Sequence, residues 1–166
     1  MNSFHTVFGS LRDYEKGGIQ IVNDNPKYYA FSNIFEVANQ SAPYEKVAVA
    51  LNLGYVIEAV RAEGVSGWYA APHDEFAIVM DGEVEVHFIK LDDPSAAYGD
   101  DSKGSIPLAA QPAGRPMGRV VARRGHQVLL PEGSAYRFTA HALGVMLLQT
   151  MDGPATVHKW GDICLK

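Results

Sequence analysis

Gly125-His126-Gln127-Val128-Leu129-Leu130-Pro131-Glu132-Gly133-Ser134-Ala135-Tyr136 reads as a turn, a short apolar run, a second turn and the start of another run. Pro131 has no N–H for a sheet ladder and Gly133 tolerates a tight reversal, so this is strand, turn, strand rather than helix. The same texture continues on both sides: Val47 to Leu53, Tyr55 to Ala62, Phe76 to Met80, Val84 to Leu91, Val120 to Arg123, Tyr136 to Ala140 and Gly144 to Met151. Many short strands separated by turn residues predict an all-β sandwich or barrel. Asp81-Gly82 between two runs is a hairpin signal, because the pair accepts positive φ.

The chain has 166 residues, which at roughly 150 residues per domain leaves room for one core and short extensions. Apolar residues make up 47% and charged residues 20%, which excludes wholesale disorder. A net charge of -5 offers no basic face for nucleic acid. No apolar run approaches the roughly 18 residues a membrane span needs, and Met1 to Thr6 carries no basic segment followed by an apolar run. The expectation is a cytoplasmic protein that engages neither membrane nor nucleic acid. Cys164 is the single cysteine and cannot close an intrachain disulfide.

Three segments are expected. Residues 1–45 form an N-terminal extension with a short helix near Ser32 to Ala38 and an aromatic patch at Tyr28-Tyr29-Ala30-Phe31 and Phe35, suited to docking on a partner. Residues 46–152 form the barrel, interrupted by a long loop over 92–118, where Pro94, Gly99, Gly104, Pro107, Pro112, Gly114 and Pro116 break every regular pattern. Residues 153–166 form a short C-terminal tail.

The Gly125 segment, with its Pro-x-Gly, resembles the second motif of the cupins, whose closing histidine is replaced here by Tyr136. Residues 67–82 resemble the first cupin motif, with Glu75 seven residues before Gly82. The resemblance implies a cupin-type double-stranded β-barrel, or jelly roll. In metal-binding members two histidines stand six and four positions before that Glu, so that alternate side chains of a strand converge on the ion. Those positions are Tyr69 and Ala71, and a one-residue shift gives Trp68 and Ala70. Tyr69, Ala71, Glu75 and Tyr136 are therefore a degenerate metal site, and no metal is expected in this chain. His73 shares parity with Glu75, although Pro72 interrupts the strand; His87, His126 and His141 read as surface or solvated residues. A buried Glu75 without a metal needs a donor, for which Tyr136, Tyr69 and His73 are the candidates.

Val49-Ala50-Leu51-Asn52-Leu53-Gly54-Tyr55-Val56-Ile57-Glu58 and His73-Asp74-Glu75-Phe76-Ala77-Ile78-Val79-Met80-Asp81-Gly82, with the overall size, resemble the small subunit of the two-component hydroquinone 1,2-dioxygenases. That resemblance implies an α2β2 heterotetramer in which a larger cupin subunit carries Fe(II) and opens the ring of its aromatic diol, hydroquinone, with O2 to give 4-hydroxymuconic semialdehyde. The small subunit then holds no iron, has no catalytic residue of its own, and shapes or covers the pocket. Candidate substrate-proximal or interface residues are Trp68, beside the first motif, and His158 and Trp160 in Val157-His158-Lys159-Trp160. Each has a plainer reading as part of its own barrel, and Arg123 and Arg124 read as rim charges or interface ion pairs. Competing classes are a stand-alone metal-free cupin that binds a small molecule, an isomerase or epimerase using Tyr69, His73 and Tyr136, and a metalloenzyme with unorthodox ligands.

Overall fold

The computed structural model describes residues 10–12 and 33–159; Tyr28, Tyr29, Phe31, Trp160 and Cys164 lie outside them. A short helix, α1 (Ile34–Asn39), starts where the Asn33 side chain accepts from the Phe35 N–H at 3.0 Å. Among the described residues ten strands follow: β1 (Lys46–Asn52), β2 (Tyr55–Val65), β3 (Trp68–Ala70), β4 (Glu75–Asp81), β5 (Glu83–Leu91), β6 (Ile106–Leu108), β7 (Gly114–Arg123), β8 (Gln127–Leu130), β9 (Ser134–Met151) and β10 (Thr156–Val157). They make the cupin-type jelly roll that the motifs imply.

Strand β9 organises the barrel. Its second half pairs with β2 on one side, Val60 opposite Met146, and with β4 on the other, Val79 opposite Met146. Its first half pairs with β3, Tyr69 opposite Tyr136, and with β5, Phe88 opposite Tyr136. One layer therefore runs β10-β1-β2-β9-β4-β8 and the other β6-β3-β9-β5-β7. Alternation along the strands sends Val60, Ala62, Ala77, Val79, Val86, Phe88, Phe138, Met146 and Leu148 into one buried core between them.

Several expectations are corrected. The two runs 136–140 and 144–151 are a single strand, because His141, Ala142 and Leu143 contain no breaker and the bend is taken up within the ladder, where the β2 register shifts between Ala62 and Gly64. Asp81-Gly82 does not close a hairpin: β4 and β5 do not pair with each other but both lie antiparallel to β9. Gly82, at φ +78°, bends one long path from the first layer to the second. It sits against Gly144, where an added Cβ would lie 2.8 Å from the Asp81 carbonyl. The segment 92–118 is not loop throughout. It contains a 3₁₀ turn (Pro94–Ala96), β6 and the first half of β7, with Pro116 tolerated at an irregular step in the β5 pairing. Past Gly153 the chain adds β10 parallel to β1, with Lys46 opposite Thr156.

Candidate functional site

Strand parity carries a row of polar side chains inward as well. Glu75 opens β4 on the same face as Ala77 and Val79 and is 0% exposed. Tyr136 donates its phenol O–H to Glu75 Oε2 at 2.5 Å, and Ser105 donates to Oε1 at 2.6 Å. The two hydroxyls lie 3.1 Å apart. Of the three candidate donors, Tyr136 is the one that reaches Glu75. His73 instead turns Nδ1 to the Asp74 carbonyl at 3.0 Å, and Tyr69 stacks on Tyr136 with centroids 5.9 Å apart.

Two charged residues complete this interior. Lys46, at the start of β1, is 2% exposed; its ammonium lies 3.8 Å from the Tyr69 ring centre and donates to Tyr136 Oη at 3.5 Å. Glu58, between Val56 and Val60 on the inward face of β2, is 0% exposed and accepts from Thr156 Oγ1 at 2.7 Å. Burial pushes the Glu58 carboxyl up to about 7 against the opposing pull of Lys46. Burial also lowers the Lys46 ammonium, opposed by Glu75 and Glu58. The Tyr136 phenol is raised well above its ordinary range by burial and then by the neighbouring Glu75 charge, so it stays a donor.

These residues do not fit iron. Of the degenerate positions, Tyr69, Glu75 and Tyr136 come together, while the buried Ala71 has no donor atom. Glu75 is already engaged by two hydroxyls, and an ammonium, which repels a metal ion, lies over the Tyr69 ring and against the Tyr136 hydroxyl. No group of three or more His, Cys, Asp or Glu side chains able to hold a metal occurs among the described residues. The cluster can fix charges and protons inside the barrel; it presents no imidazole and no free carboxylate pair to an ion.

Trp68 is 8% exposed and packs with Ala70, Ile89, Leu91 and Ala135. One edge nonetheless borders a surface groove of about 380 Å³ shared with His87, Phe88, Gln111, Arg119 and Arg137. The Arg137 guanidinium lies 4.8 Å above the indole, and its buried Nε has no hydrogen-bond partner. His158 is far less enclosed and pairs with Asp152 at 2.9 Å; next to it Lys159 ties the end of the described chain to Glu45 at 2.5 Å. Arg123 and Arg124 pair with Glu83 and Asp81 on the rim, Arg123 at 2.6 Å. His87 and His141 face Glu85 at 3.2 and 3.6 Å, and His126 Nδ1 accepts from the Arg123 N–H at 2.9 Å.

Sequence reading missed Lys46, Glu58 and Ser105. The signal for Glu58 was its parity, an acid in the otherwise apolar inward row of Val56, Val60 and Ala62. Ser105 had none, because it sits in the segment that its glycines and prolines mark as irregular.

No protein-family profile matches the chain, and neither does any curated protein. Solved structures do match. The chain is 54% identical to one in the crystal structure of hydroquinone 1,2-dioxygenase from Sphingomonas sp. TTNP3 with 4-hydroxybenzoate bound, covering 98% of each chain with a TM-score of 0.93. It is 57% identical to a chain of hydroquinone 1,2-dioxygenase PnpCD in complex with Cd2+ and 4-hydroxybenzonitrile, covering 99% of this chain and 98% of that one at a TM-score of 0.90. A PnpCD structure in complex with Fe3+ contains a chain that is 11% identical, of which the match covers only 38% against 84% of this chain, at a TM-score of 0.64. That match is a likeness of fold to a longer chain. PnpCD therefore holds chains of two lengths, and the high identity is to the shorter. Among the described residues no helix is long and apolar enough to cross a membrane.

Proposed function

Because the chain belongs to the hydroquinone 1,2-dioxygenase family, we propose that it serves as the smaller, iron-free subunit of such an enzyme. The observation that carries the reading is the 54–57% identity, over almost the whole length of both partners, to the shorter chain of these enzymes. An interior filled by Lys46 and hydroxyl-bound Glu75 supports the division of labour, since it leaves iron to the longer cupin chain.

On this reading two small and two large subunits form an α2β2 heterotetramer, and the reaction takes place on the large one. Fe(II) held by that subunit would supply the oxygen chemistry, with both atoms of O2 going into the product of hydroquinone cleavage, 4-hydroxymuconic semialdehyde. This chain supports the larger one and completes its pocket. Trp68 and the groove beneath Arg137 are the part of this surface best suited to face an aromatic ring, with His158 and Trp160 as further contacts at the interface. The complex is read as cytoplasmic, where a single-cysteine chain needs no disulfide.

The test is expression alone and together with the larger chain, reading metal content, native mass and oxygen uptake with hydroquinone. We expect near-zero iron and no turnover for this chain alone, and ring cleavage by a complex with two copies of each. Turnover by the isolated chain, or one tightly held iron in it, overturns the reading. A stable single-chain protein that ignores the larger subunit assigns it instead to free-standing cupins that bind small molecules.

A further inference from the structure

A lysine buried in a β-barrel calls for a reason. Its ammonium carries three donors and a full charge, and removing both from water is costly unless the surroundings replace the lost hydration. The Lys46 side chain runs inward from β1 to a spot 3.8 Å from the Tyr69 ring centre, 5.6 Å from that of Tyr136 and 3.5 Å from the Tyr136 hydroxyl. One aromatic face, that of Tyr69, and the hydroxyl edge of Tyr136 are a cation's surroundings. The phenol is in turn bonded to the buried Glu75. On the neighbouring strand Glu58 is fully buried as well, and its Oε2 has no hydrogen-bond partner.

Tyr69, Glu75 and Tyr136 stand where the two motifs would place metal ligands, and the ammonium lies among them. We propose that the interior of this barrel is a cation site whose permanent occupant is the protein's own Lys46. One ammonium faces two buried carboxyl groups, so its removal leaves negative charge in the core with nothing to balance it. An ammonium and a metal ion cannot share the space, so the chain excludes metal by filling the position and not merely by lacking histidines. In a two-chain dioxygenase this confines iron to one kind of subunit; that consequence rests on the reading above, whereas the site itself concerns this chain alone.

The experiment uses full-length protein, as Lys46→Met, Glu58→Gln, the double variant and Lys46→Ala. At about pH 8 Lys46→Met is expected to lower the melting midpoint by about 10 °C, and adding Glu58→Gln restores most of the loss. If Lys46→Met does not fold, recovery of folding in the double variant supports the assignment equally. Refolding Lys46→Ala with n-propylammonium, which rebuilds the missing atoms, raises its midpoint and leaves the parent unmoved. Cobalt(II) retained by Lys46→Ala and not by the parent is the corresponding result for a metal. Three results overturn the proposal: Lys46→Met as stable as the parent, no recovery on adding Glu58→Gln, or a Lys46→Ala protein that responds to neither cation. None of these readouts depends on ring cleavage or on the larger subunit, so they fail or succeed separately from the proposed function.

Discussion

Tyr136 donates its one proton to Glu75 across 2.5 Å and, through the same oxygen, accepts from the Lys46 ammonium at 3.5 Å. A phenol so placed passes the influence of the cation to the carboxylate without the two charges touching. Tyr136→Phe keeps the ring and the stack on Tyr69 but leaves Glu75 Oε2 without its donor. The expected cost is about 1–3 kcal/mol, read as a lower urea midpoint with an unchanged slope. An unchanged midpoint would mean that Ser105 suffices for Glu75.

Stability should fall with rising pH through neutrality because of Glu58. Its carboxyl stands at about 7 in the folded chain, above its ordinary 4.5, so the folded state holds the proton more tightly than the unfolded state. This contribution is fully present below about pH 4.5 and is lost as pH climbs through about 7, with a ceiling of about 3 kcal/mol. The groups acting on it are Lys46, Glu75, Asp152 and the Thr156 hydroxyl. Glu58→Gln fixes the neutral form. Its stability relative to the parent should rise by about 1–3 kcal/mol between about pH 5 and pH 8, measured as melting midpoints across that range; parallel profiles would contradict the assignment.

Trp68→Ala, assayed in the assembled enzyme, should lower turnover by about tenfold or more with iron content and native mass unchanged, if the indole and the Arg137 above it position the ring of the substrate. Since Trp68 is also packed among Ile89, Leu91 and Ala135, the melting midpoint has to be read on the same sample. A variant that loses stability but not turnover places the side chain in the core alone.

Gly144→Ala tests the corner where the path of β4 and β5 bends across β9. The new methyl would come within 2.8 Å of the Asp81 carbonyl oxygen, a backbone atom that cannot rotate away. A loss of about 1–3 kcal/mol in urea unfolding is expected. Gly67→Ala, where an added Cβ meets nothing within 4 Å, is the control and should change little.

The fold was legible where side-chain alternation is local. Phe76 to Met80 and Val84 to Leu91 declare strands by themselves, and the Pro-x-Gly turn at Pro131 to Gly133 joins β8 to β9 as expected. What alternation does not encode is which strand a turn leads to. Asp81-Gly82 carries the local chemistry of a hairpin, yet its partner is Gly144, 62 positions away, and tertiary packing makes it a corner. Among the site residues Glu75 and Tyr136 were found through motif spacing. Lys46 escaped because it is the first residue of its strand, where a lysine reads as a solvated end; only the register with β2 and β10 reveals that it is covered.

The place of β9 along the chain has a bearing on synthesis. Four strands made earlier, β2, β3, β4 and β5, all rest on a strand made after them, and among the described residues β10 alone follows. During translation those strands can pair on one edge with β1, β6, β8 and β7, but the edge that β9 covers stays open, and the barrel cannot close until it is made. Folding therefore waits on distant contacts and is expected to be slow, with the nascent chain dependent on chaperone cover until Ser134–Met151 arrives.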